Sequence, residues 1–143
     1  MTIGRFIVSV VAAYAVFAVF ETAGYLFLYQ AEADALMERL RADGGNREIY
    51  AHVGHLIQTA VIVWLFDKAV GSNDMKRGLV FGGMIGLYLI GAEAVNASWM
   101  GVSDSMLAKM SLTHLITAVV IGMVLAALHR AAGVSKTNDP GPG

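Results

Sequence analysis

The chain has no cysteine, so disulfides, thiolate metal sites and cysteine nucleophiles are all excluded. It has only two prolines, both close to the C-terminus, so nothing before residue 140 forces a break in a helix. Charge is sparse as well. Only 15% of residues are charged and the formal net charge is −1, which leaves no basic field for nucleic acid. No Ser-His-Asp arrangement, phosphate loop or dinucleotide-binding fingerprint is present, so no reaction is assigned and catalytic residues stay unknown.

What fills the 143 residues is apolar: 57% are hydrophobic, and the mean hydropathy is +0.62. Soluble domains are nearer 45–50% apolar and about 25% charged. The departure points to a protein of the lipid bilayer. A helix crosses the hydrocarbon with about 20 apolar residues, and four stretches qualify: about 6–29, 49–66, 79–100 and 106–128. Arg5 followed by "FIVSVVAAYAVFAVF" also fits the start of a cleaved signal peptide. However, the apolar run resumes after Glu21 as "AGYLFLY" with no A-x-A site, which favours an uncleaved first span.

The expected fold is therefore all-α: an integral membrane four-helix bundle over residues 1–132, followed by a disordered tail over 133–143. The first loop, "QAEADALMERLRADGGNRE", carries Leu36, Met37 and Leu40 at helical spacing before Asp43-Gly44-Gly45-Asn46. That pattern predicts a short amphipathic helix lying at the membrane interface. "GVSDS" offers Ser103 or Asp104 as N-cap for the last span. Trp64 and Trp99, with Tyr25, Tyr29 and Tyr50, lie near span ends and suit interfacial belts. The eight methionines are scattered, unlike a copper-binding tract.

Lys and Arg set the expected orientation. Arg5, Lys68, Lys76, Arg77, Arg130 and Lys136 fall on one side, and Arg39, Arg41, Arg47 and Lys109 on the other, among acidic residues. The bias favours both termini in the cytoplasm, in a bacterial plasma (inner) membrane.

Ionisable groups inside a span are costly and mark function. Counted from the expected span ends, Glu21, His52, His55, Glu93, Asn96 and His114 all fall within roughly 5–12 Å of the outer boundary at 1.5 Å per residue. Glu21 followed by His52 and His55, and Glu93 followed by His114, also give the halves of the chain a similar outline, as in a tandem repeat. Imidazole and carboxylate bind Zn, Fe, Mn or Cu when thiols are absent. Glu21, His52, His55, Glu93 and His114 are thus candidate metal ligands, with Gln58, Asn96 and Thr117 as candidate supports behind them.

Several other readings use the same residues. Glu–His pairs could simply hydrogen-bond and hold the bundle together. His55 and His114 could ligate a non-covalent haem b. A proton relay is a further reading, although the inner halves of the spans, such as "VVIGMVLAAL", offer no polar path through the membrane. Finally, a chain this small could be an accessory or assembly subunit of a larger membrane complex, or a homo-oligomer, with the lipid bilayer as its constant partner.

Overall fold

A computed structural model of the chain describes residues 1–42 and 48–134. The Asp43–Asn46 stop and nearly all of the expected tail lie outside the described residues. Within them the fold is all-helical. The elements are α1 (Ile3–Gly24), a π-helical turn (Tyr25–Tyr29), α2 (Gln30–Ala42), α3 (Glu48–Ala69), α4 (Met75–Met100) and α5 (Asp104–Val134). Among the described residues, four helices are long and apolar enough to cross a membrane.

The helix ends follow local chemistry. Thr2 accepts a hydrogen bond from the Arg5 N–H at the start of α1, and Asp74 accepts one from the Lys76 N–H at 2.8 Å at the start of α4. Ser103, rather than Asp104, caps α5: its Oγ accepts from the Met106 N–H at 3.2 Å. α4 ends at Gly101, whose φ of 64° is the left-handed conformation glycine adopts freely.

The first loop differs from expectation. Gln30–Ala42 continues from α1 through the π-helical turn, so the chain is helical without interruption from Ile3 to Ala42. No glycine or proline interrupts residues 25–42, and the turn absorbs the change of register. Nor is the apolar stripe free to lie on a membrane surface along its whole length. Tyr29, Ala33 and Met106 form a buried cluster against which Leu36 and Val102 pack, although Met37 and Leu40 are exposed. A separate interfacial helix is therefore not shown by this arrangement.

Two kinds of packing hold the bundle. α4 and α5 run antiparallel along a seam of glycines. A Cβ on Gly78 would come within 2.6 Å of the Gly122 carbonyl oxygen, and one on Gly82 would strike the Ala118 carbonyl oxygen. Small residues permit such backbone approach, which is how helices associate in lipid. The second kind is a side-chain core of Ala13, Val63, Phe66, Ile121, Leu125 and Ala126, contributed by α1, α3 and α5. By contrast, α3 leans on α1 and α4 on α5, with little backbone approach between α3 and α4.

Contacts at the two ends fix the topology. At one end the Met1 amine and His129 Nε2 both reach the Asp67 carboxylate, at 3.3 and 3.5 Å, beside the α3–α4 turn. At the opposite end Arg39 donates to the Met100 carbonyl oxygen at 2.9 Å, beside Gly101.

Candidate functional site

Three of the five candidate ligands come together. His114, on α5, is buried with 8% of its surface exposed. Its Nε2 lies 3.3 Å from Glu21 Oε1 on α1, and its Nδ1 lies 3.7 Å from Glu93 Oε1 on α4. One imidazole thus stands edge-on between two carboxylates from two other helices. Both glutamate side chains keep 21% exposure, twice that of the histidine.

Glycine places the group. A Cβ on Gly24 would meet the Thr113 side chain at 2.7 Å, so its absence lets α1 close on α5 one turn from Glu21 and next to His114. On the other flank Gly86 sits against Leu115, bringing α4 to α5 two turns before Glu93. Without these two approaches the short Glu21 and Glu93 side chains could not face the same ring.

The polar atoms here are not fully satisfied. Glu21 Oε1 and His114 Nδ1 are buried and find no hydrogen-bond partner among the described residues. The 3.3 Å contact is close enough for ionic attraction but lies off the line of a good hydrogen bond, and 3.7 Å is too long for one. Tyr29 adds a third neighbour. It is 7% exposed, and its hydroxyl interacts with the Glu21 carboxylate. Its expected place was an interfacial belt. The signal that would have found it is its spacing from Glu21, eight residues or about two turns along one helical rod.

His52 and His55 do not join this group. His52 is exposed, and its Nδ1 lies 3.4 Å from the Tyr14 hydroxyl. His55 packs its ring on Phe17, with centroids 4.4 Å apart, and its Nδ1 lies 3.3 Å from Gln58 Oε1. Tyr14 is seven residues from Glu21, about 10 Å along the helix at 1.5 Å per residue. The single layer inferred from the sequence is therefore two clusters at different depths. The cause is the continuous rod from Ile3 to Ala42: α3 starts alongside the middle of α1, so counting from a shared boundary misplaces its histidines. The tandem pairing fails for the same reason, since both glutamates face His114.

The supporting residues divide similarly. Thr117 is buried below His114 and donates to the Thr113 carbonyl oxygen at 2.8 Å. Gln58 serves His55, and Asn96 is exposed. Thr59, not singled out by the sequence, is buried and donates to the His55 carbonyl oxygen at 2.7 Å. Lys109 also takes an unforeseen part: it donates to Glu32 at 2.7 Å, tying α2 to α5 above the site.

Between the clusters lies a cavity of about 20 Å³, lined by Phe17, Gln58, Thr59, His114 and Thr117 among others. That is room for about one water. Small-ligand sites run to about 300 Å³ and more, so a haem does not fit between His55 and His114 unless the helices part.

A metal finds a partial fit. Among the described residues no group of three or more His, Asp or Glu side chains is arranged to hold a metal ion. The two carboxylates face opposite nitrogens of one ring, so an ion on either nitrogen reaches only one of them. No protein-family model, curated protein or solved structure matches the chain, so its reading rests on the chemistry of its own residues.

Proposed function

We propose that this is a small integral membrane protein that binds a cation in the outer half of the bilayer, with Glu21, His114 and Glu93 as the binding group and a proton as the cation. Both termini lie in the cytoplasm of a bacterial plasma membrane, and the Gly101 end faces out. The observation that carries the reading is the placement of one buried imidazole between carboxylates of two other helices. Two carboxylates forced together in lipid repel one another, and a shared proton on the ring between them relieves that cost. The part-exposed glutamates give the proton a way in from one side. The apolar core of Ala13, Val63, Phe66, Ile121 and Leu125 beneath makes the site a dead-end receptor and not a channel.

A second reading, a divalent transition metal such as Zn, Fe, Mn or Cu, has one observation in its favour. Two ligands at about 2.0 Å on a tetrahedral ion stand about 3.3 Å apart, which is the His114 Nε2 to Glu21 Oε1 separation. Glu93 would then orient the ring through Nδ1, as carboxylates behind metal-bound histidines do, and water would complete the coordination.

The test is a pH titration of ¹⁵N-histidine resonances in the purified protein, with elemental analysis of the same sample. The expected result is a single His114 transition that moves in both Glu21→Gln and Glu93→Gln, with no stoichiometric metal. A metal present at one per chain and lost in Glu21→Gln would replace the proton by the second reading. A His114 signal indifferent to both substitutions would sink both readings. Stoichiometric co-purifying subunits would then favour the accessory role.

A further inference from the structure

A groove of about 620 Å³ opens between α3 and α4. Its walls are apolar: Leu65 and Ala69 from the end of α3, Val70 just beyond it, and Val80, Phe81, Met84 and Ile85 from α4. Its mouth is polar and lies at the start of α4, where Asp74, Lys76 and Arg77 line it. The groove exists because α4 is committed to α5 by its glycine seam, while α3 leans on α1. From Asp74 to Ile85 it extends eleven residues, about 16 Å at 1.5 Å per residue. One leaflet of hydrocarbon is about 15 Å deep, half of the usual core.

We propose that this groove is a binding site for one anionic phospholipid, with an acyl chain between α3 and α4 and the headgroup phosphate on Lys76 and Arg77. Charge complementarity chooses the occupant. Asp74 offsets Arg77 at 3.8 Å and is itself occupied in capping α4. Lys76 has no carboxylate partner among the described residues, so the mouth keeps a positive excess where a phosphate would sit. A neutral helix from a partner would leave that excess unmatched. The proposal rests on the membrane-spanning character of the helices alone, and it stands or falls separately from the cation site.

The test uses the full chain in bicelles of equal phosphatidylglycerol and phosphatidylcholine, extracted into uncharged detergent and weighed by native mass spectrometry. The wild type is expected to retain one phosphatidylglycerol per chain. Lys76→Gln with Arg77→Gln should lower its selectivity over phosphatidylcholine by roughly fivefold to twenty-five-fold, since each cation at a membrane surface contributes on the order of a fivefold preference and Asp74 already offsets Arg77 in part. Leu65→Trp, which fills the groove and leaves the mouth intact, should abolish retention of either lipid. Unchanged thermal unfolding in both variants separates these losses from misfolding. Equal retention of the two lipids by the wild type, or retention unaffected by either variant, overturns the proposal. So does a wild-type mass showing two chains and no lipid, which would put a second copy in the groove.

Discussion

His114 and His129 sit on the same helix, the first buried and the second part-buried, each beside an acidic side chain, and they end in different states. His129 is satisfied. Its Nδ1 lies 3.1 Å from the Leu125 carbonyl oxygen of its own helix, its Nε2 faces Asp67 at 3.5 Å, and its ring stands edge-on to Phe66. His114 has two carboxylates but no hydrogen bond of good geometry, and its Nδ1 is left without a partner. A buried polar group that is fully paired reads as structure, because pairing removes the cost of burying it. One that is buried and left short reads as poised for something else. A histidine beside an acid is therefore not the signal; the unfinished pairing is.

The comparison breaks most completely if the seam that spaces the two histidines is disturbed. Gly82→Val puts a branched side chain against the Ala118 backbone, and neither helix can yield locally. Overpacking costs about 1–3 kcal/mol where side chains can adjust, and more where backbone must move. Loss of folded, detergent-stable protein is the expected outcome, measured by size-exclusion yield. Normal yield and thermal stability in Gly82→Val would show that α4 and α5 do not meet as described.

The contrast sharpens when each histidine is removed in turn. His114→Ala leaves two carboxylates facing one another, and removing one partner of a buried ionic group costs about 3–5 kcal/mol at the upper end. Protonation of Glu21 or Glu93 limits that cost, so a destabilisation of about 2 kcal/mol is expected in thermal unfolding. Adding Glu21→Gln should recover part of it. Such recovery is the non-additivity that residues in contact show. Strict additivity would mean the 3.3 Å contact carries no energy. His129→Phe keeps the ring against Phe66 and gives up only the polar contacts, which average about 0.6 kcal/mol between membrane helices. It should be the milder variant by thermal unfolding. If instead it is the more damaging, the assignment of roles to the two histidines is reversed.

The four helices were legible because hydropathy and length act on each segment alone, and Glu21, Glu93 and His114 because an ionisable residue in an apolar run stands out. The seam glycines Gly82 and Gly86 recur four residues apart on one face of α4, a spacing that suits close helix approach. What the sequence did not reveal was relative depth. Whether His52 lies level with Glu21 depends on where α3 begins beside α1, which tertiary packing sets. The pattern of Leu36, Met37 and Leu40 was equally ambiguous: an apolar stripe looks the same whether it meets lipid or, as Leu36 does, the Met106 cluster. Tyr29 lies near a span end and is buried all the same, because it clusters with Ala33 and Met106.

The smallest effect belongs to the Glu32–Lys109 pair, which ties α2 to α5 above the site at 2.7 Å with about a third of each side chain exposed. Glu32 also interacts with Ser105, so it would not be left bare if Lys109 were lost. Exposed pairs are screened and contribute about 0.2–1 kcal/mol. Lys109→Met should therefore lower thermal stability only slightly. Because Lys109 lies one turn from His114 on α5, the informative readout is the His114 titration. If α2 merely rests on α5, that titration stays as in the wild type. A shift of the His114 transition in Lys109→Met would show that the Lys109 charge reaches the ring, and the two ion pairs would then have to be treated as one network.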